Sequence, residues 1–206
     1  MKIKKLTIHN IASVEDAEIE CTGNGLGSEP LFLITGETGS GKTTILNAIC
    51  LALYNTAPNI ESVQSAGNAA QIGGLSINDP RQLVRQGSME AFVELVFDGN
   101  DGNEYVATWE THKAKKSLEF QKISHTLECK KLNLSENKLK ALKALITEST
   151  VVGLTYEQFC RTTMLAQGQF SKFMGSKDDE KSDILEKLTG TEIYAIIGKK
   201  VFEHYK

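Results

Sequence analysis

The sequence predicts an α/β lobe: a mixed core sheet with one buried helix behind it, an antiparallel meander at its side, and a helical carboxy-terminal portion. Three observations carry that prediction. A short apolar run at 31–35 feeds a glycine cluster at 36–41, followed by a segment at 42–54 that is apolar around most of its girth. Segments 91–97 and 104–112 read as strands on either side of Asp98-Gly-Asn-Asp-Gly-Asn103, a hairpin turn by composition. From Ser176 onward the apolar residues recur at helical spacing.

Taken in order, residues 2–9 alternate loosely through Ile3, Leu6 and Ile8 and read as a strand. Residues 14–21 alternate more cleanly and read as a second. The stretch 22–29, with three glycines, is a loop. The continuous apolar run 31–35 is the pattern of a strand covered on both faces. Ile45, Leu46, Ala48, Ile49, Leu51, Ala52 and Leu53 then leave the 42–54 helix little polar face, so it is expected between layers. Residues 55–80, rich in Asn, Ser, Gly and Ala, show no sustained period and read as a long surface connection. After the 91–112 hairpin, residues 117–127 are expected to be a third strand. Ser135 is expected to cap a short helix carrying Leu139, Leu142, Leu145 and Ile146. Ser176-Lys-Asp-Asp forms an N-cap signal for a helix through Ile184, Leu185 and Leu188. Thr189-Gly190 breaks it, and Thr191 caps a last helix through Ile193, Ile196, Ile197, Val201 and Phe202.

Composition narrows the function classes. The chain of 206 residues is 40% hydrophobic and 24% charged, enough to bury a core. No apolar run reaches the roughly 20 residues that span a bilayer. The first ten residues lack the apolar core of a secretory signal. Cys21, Cys50, Cys129 and Cys160 are scattered, without the spacing of a zinc module, and a reducing cytoplasm is the expected location. Net charge is −3, but it is unevenly placed. Residues 1–112 hold 6 basic against 14 acidic side chains, residues 113–143 hold 9 against 3, and residues 144–206 hold 8 against 9. The lysine block at 113–143 reads either as a solvated hairpin and helix or as a face that meets phosphates.

Gly36-Glu-Thr-Gly-Ser-Gly-Lys-Thr43 fits the Walker A pattern G-x-x-x-x-G-K-[ST], between an apolar run and a buried helix. Glycines let the backbone wind around a phosphate with its N–H groups turned inward. The helix start adds unsatisfied N–H groups and the positive end of its dipole. In such a P-loop Lys42 is the cation for the β- and γ-phosphates, and the Thr43 hydroxyl is a Mg²⁺ ligand. The expected nucleotide-binding set is Gly36, Glu37, Thr38, Gly39, Ser40, Gly41, Lys42, Thr43 and Thr44. The nearest thing to a Walker B strand is Phe92-Val-Glu-Leu-Val-Phe-Asp98. It is rejected because Glu94 interrupts the apolar run and Gly99 follows Asp98. No Asn-Lys-x-Asp and no Leu-Ser-Gly-Gly signature occurs, so the chain holds half of a hydrolytic site.

Three segments in this order resemble the amino-terminal head lobe of the SbcC family. Those proteins are the ATPase subunits of bacterial SbcCD nucleases, within the ABC-type, SMC-like group of DNA-repair ATPases. The segments are residues 33–54 around the P-loop, Met164-Leu-Ala-Gln-Gly-Gln-Phe170 with Phe173 beyond, and Ile184-Leu-Glu-Lys-Leu-Thr-Gly-Thr-Glu-Ile-Tyr194. The resemblance implies an ABC-type ATPase lobe I over residues 1–190, carrying Walker A and the Q-loop, and a helix over 191–206 leading toward a coiled-coil arm. It makes Gln167 the Q-loop glutamine, a catalytic residue beside Lys42 and a Mg²⁺ ligand beside Thr43, with Gln169 its nearby competitor. It implies ATP and Mg²⁺ as ligands. The implied partners are the carboxy-terminal SbcC lobe, a second SbcC head, the SbcD nuclease and double-stranded DNA ends held without regard to sequence; no membrane is implied. It also raises the phosphate-contacting reading of the lysine block. The sequence departs from archaeal and eukaryotic relatives in having Asn10-Ile-Ala-Ser13 where they place an Arg, and Thr38 where they place Asn. Ser13 is a weak candidate phosphate contact, and Arg85 is either near the ribose or base or a surface arginine.

Two other function classes are open at this point. A small P-loop nucleotide kinase suits the length, but only Arg81, Arg85 and Arg161 are present to clamp a transferred phosphoryl group. A non-enzymatic DNA-binding module would rest on the lysine block alone.

Overall fold

The computed structural model describes residues 1–23, 34–61, 71–72, 75–76, 78–147, 151–160 and 201. The chain forms two compact units, Met1–Val152 and Gly153–Lys206.

The first unit is built on β1 (Lys2–Ile11), β2 (Val14–Glu20), β5 (Glu90–Asp98), β6 (Glu104–His112), β7 (Ser124–Cys129) and β8 (Leu134–Glu136). They form one sheet in the order β2-β1-β5-β6-β7-β8, antiparallel at every junction. The helix α1 (Lys42–Tyr54) packs on it, as its apolar girth predicts. Alternation along the strands puts Leu6 and Ile8, Val93, Leu95 and Phe97, Ala107 and Trp109, and Leu127 in the buried row on the helix side, and Ile11 is buried too, out of step with Ile8 across the left-handed backbone at Asn10. The opposite rows carry Asp16, Glu18, Glu20, Glu94 and Glu110, part of the acidity of residues 1–112, together with Glu128. A parallel component of the expected mixed sheet would involve residues 31–33, which lie outside the described residues; Ile34 and Thr35 are exposed and belong to no strand.

Elsewhere the structure differs from the sequence expectations in three places. Within 55–80, α2 (Pro58–Glu61) buries Ala57 and Ile60, β3 (Gln71–Ile72) pairs with β4 (Leu75–Ser76), and Pro80–Leu83 is a 3₁₀ turn. Elements of two to four residues are too short to show a period. The third meander strand starts at Ser124 rather than 117, because Leu118 adopts a left-handed φ of 57° and Arg81 Nη1 takes the carbonyls of Phe120 and Gln121 at 3.4 and 3.0 Å. Ser135 lies in β8 and donates to Glu128 at 3.4 Å. The turn before α3 (Leu139–Thr147) is instead closed by the Glu136 carboxylate, which accepts from the N–H groups of Asn137 and Lys138. The 98–103 turn forms as its composition predicts, with Gly99 N–H on the Asn103 carbonyl at 2.8 Å.

The second unit is described at α4 (Tyr156–Phe159), which Thr155 opens with a capping box: its hydroxyl accepts from Gln158 N–H, and Gln158 Oε1 accepts from Thr155 N–H. Gln167, Gln169 and the helices expected from 176 and 191 lie outside the described residues.

Candidate nucleotide-binding site

The loop ahead of α1 is shaped by its glycines and filled by its lysine. Lys42 Nζ donates to the carbonyls of Gly36 and Glu37, each at 2.6 Å, and to Ser40 Oγ at 3.3 Å. The ammonium therefore sits in the mouth of the loop. A Cβ at residue 36 would stand 2.6 Å from Ser40 Oγ and 3.3 Å from Ser40 Cβ, so any other residue there would make the serine turn away from the loop. Gly41 has φ +95° and a Cβ there would also meet Val14 Cγ2 at 2.9 Å, so both backbone and packing demand glycine. Gly41 is the N-cap of α1, no side chain among the described residues caps it, and no acidic residue stands in the first turn. The first N–H groups of the helix and its positive dipole end are thus left for an anion.

Behind the loop, Thr43 is exposed whereas Thr44 is 6% exposed with its Oγ1 3.5 Å from Ser13 Oγ. Asn47, one turn further, is buried, and its Oδ1 has no partner among the described residues. Ser13 belongs to the β1–β2 turn, and Arg85 Nη1 donates to its carbonyl at 3.0 Å while Nη2 stands 3.5 Å from Glu15. The structure brings Ser13, Thr44 and Arg85 together, a grouping that the sequence offered only as separate residues. The other end of α1 is held by the sheet. Trp109 Nε1 donates to Asn55 Oδ1 at 2.6 Å, and His125 Nε2 donates to the Ala52 carbonyl at 2.7 Å. Burial pushes the His125 pKa below its ordinary 6.5, against the smaller upward pull of the Ala52 bond.

Asp98, the rejected Walker B acid, pairs with Lys4 at 2.8 Å and lies opposite Lys2 in register. The phosphate loop abuts the other end of β1, so nine residues of strand put Asp98 roughly 30 Å from it. The lysine block is spread over three places: Lys115, Lys116 and Lys122 are exposed between β6 and β7, Lys130 and Lys131 are exposed between β7 and β8, and Lys138 precedes α3, which carries Lys140 and Lys143. Lys113 lies over the Phe120 ring at 4.7 Å. Among the described residues no helix is long and apolar enough to cross a membrane, and no three His, Cys, Asp or Glu converge as a metal site.

The family of AAA domains matches residues 5–200, which takes in the loop, α1 and all of the sheet but the first three residues of β1. The chain belongs to that family. It is also 35% identical to the SbcC component of the SbcCD nuclease of Pseudomonas aeruginosa over 98% of its length, and 35% identical to that of Rhodobacter capsulatus over the same share. The chain spans 17% of the length of each of those relatives. Among solved structures, that of the recombination mediator RecF with ATP matches 69% of this AAA chain, and 29% of its own, at 12% identity with a TM-score of 0.41. The likeness to SbcC carried by three motifs thus extends along nearly the whole chain.

Proposed function

We propose that this chain is the ATP-binding amino-terminal lobe of an SbcC-type ATPase that gates an SbcD-type nuclease on DNA ends in double-strand-break and hairpin processing. The observation that carries the reading is the loop itself: a glycine-shaped turn whose Gly36 and Glu37 carbonyls hold one ammonium, in front of a helix start that no described side chain caps. These residues fit a triphosphate. Lys42 would exchange the Gly36 and Glu37 carbonyls for β- and γ-phosphate oxygens, and residues 36–44 would supply backbone donors. Thr43, exposed at the helix start, and Gln167 would hold Mg²⁺, whose role when bound is to neutralise phosphate charge. Gln167 would orient the attacking water through its amide.

Walker B and the signature motif do not occur in these 206 residues. In the intact protein they would come from the carboxy-terminal lobe and from a second head, with residues 191–206 leading into the arm. DNA would be held through phosphates at the exposed lysine turns, without base readout. A kinase reading loses ground because Arg81 is committed to Asp79 and to the 120–121 carbonyls, and Arg85 to Ser13 and Glu15.

Calorimetry with magnesium and a non-hydrolysable adenine nucleotide tests the proposal. Binding is expected for the wild type and a loss of about 50-fold or more for Lys42→Ala, the scale of a lost charge-assisted phosphate contact. No heat from folded wild-type protein at high micromolar concentration sinks it. Turnover by the 206-residue chain is expected to be far below that of an intact head pair.

A further inference from the structure

We infer that Arg85 is a positioning residue for the phosphate loop, acting through the β1–β2 turn; this rests on the nucleotide-binding reading of that loop. The turn cannot hold its own shape. Asn10 and Ala12 both adopt left-handed φ, 54° and 48°, a conformation that Asn tolerates and that is uncommon for alanine. It is held from outside by the segment 83–85. Ala12 N–H donates to the Leu83 carbonyl at 2.7 Å, Arg85 N–H donates to the Asn10 carbonyl at 2.8 Å, and Ile11 bridges Val84. The Arg85 side chain completes the clamp: Nη1 on the Ser13 carbonyl at 3.0 Å, and Nη2 beside Glu15 at 3.5 Å.

The other side of the same turn is the wall of the loop. Val14 Cγ2 lies so close to Gly41 that a Cβ there would meet it at 2.9 Å, and Ser13 Oγ faces Thr44 Oγ1 at 3.5 Å. Gly41 and Thr44 bracket the first turn of α1, whose N–H groups face the anion position. A displacement of Ser13 and Val14 therefore frees the junction on which those donors depend. Arg85 serves two acceptors at once through its fork, which an ammonium on a flexible stem does not reproduce.

Arg85→Ala and Arg85→Lys test the inference with two readouts. In nucleotide-free protein, Arg85→Ala is expected to speed amide hydrogen exchange at Ala12, bonded to Leu83, and at 45–47, the first paired amides of α1, by about tenfold, the scale of one charged hydrogen bond, while leaving β5, β6 and β7 unchanged. Affinity for magnesium with the non-hydrolysable nucleotide is expected to fall by about tenfold, with Arg85→Lys recovering only part of it. Unchanged exchange at 45–47 overturns the inference. So does a uniform rise across the sheet, which would make Arg85 a general stability residue. Full recovery by lysine overturns the fork. Faster exchange at 45–47 in a protein that never bound nucleotide leaves the clamp standing and sinks only the nucleotide reading.

Discussion

The two ends of α1 are finished in opposite ways. At the carboxyl end Asn55 closes the helix in a left-handed conformation, with its N–H on the Leu51 carbonyl at 3.0 Å. Trp109 and His125 then reach from neighbouring strands to Asn55 and to the Ala52 carbonyl. At the amino end stands Gly41, with no capping side chain among the described residues. A Ser, Thr or Asp at that position would stabilise an ordinary helix by about 1 kcal/mol. The contrast teaches that the two ends of one rod are built for different tasks: the sheet grips the far end, and the near end keeps its donors unspent.

The sharpest way to break this comparison is to cut the grip. Trp109 is wholly buried, and Trp109→Ala is expected to cost about 3–5 kcal/mol of unfolding free energy in a denaturant titration, from lost contact and the cavity left behind. Lys42→Ala, at the exposed end, is expected to move the denaturation midpoint hardly at all while removing nucleotide binding. If the two variants are equally destabilised, the division of labour between the ends is wrong.

A subtler lever is pH. His125 gives Nε2 to Ala52, while its Nδ1 is buried with no partner among the described residues, so a second proton would arrive as a buried charge without an acceptor there. Its folded pKa lies below the ordinary 6.5 because of burial, so the unfolded chain takes up the proton first. The stabilisation is therefore complete above about pH 6.5 and is lost as pH falls from there through the lowered native value. His125→Gln, whose amide can reach the same carbonyl without titrating, is expected to show a flatter midpoint-against-pH curve between about pH 7 and 5. An unchanged slope would mean that other groups set it.

Much of this was legible in the chain, and what was not has a common cause. The bounds of α1 follow from the apolar girth of 42–54 between a Walker glycine and a polar Asn55, all local signals. The loop was readable for the same reason. Trp109 and His125 carry no local mark of their task. They face α1 because register sets Val93, Trp109 and His125 opposite one another, and a pairing between strands separated in sequence is invisible to periodicity. Ser135 illustrates the reverse: a cap signal ahead of an apolar period, overridden when β7 recruited residues 134–136 as an edge strand. Arg85 was visible as a residue but not as a clamp, since the turn that it holds lies 72 positions away.

The smallest expected effect lies at Asn55, where two demands meet in one side chain. Its φ of 54° favours glycine, and its Oδ1 is the acceptor for a buried indole N–H. Asn55→Gly relieves the backbone by a few tenths of a kcal/mol but leaves Trp109 Nε1 without its acceptor, so a net loss of about 1 kcal/mol is expected. Asn55→Ala loses the acceptor and strains the backbone as well, adding about 1 kcal/mol more. The difference between the two variants measures the left-handed cap, and the difference between glycine and wild type measures the indole bond. If glycine instead stabilises the protein, the far end of α1 is closed by backbone geometry alone, and Trp109 holds the helix by packing rather than through its nitrogen.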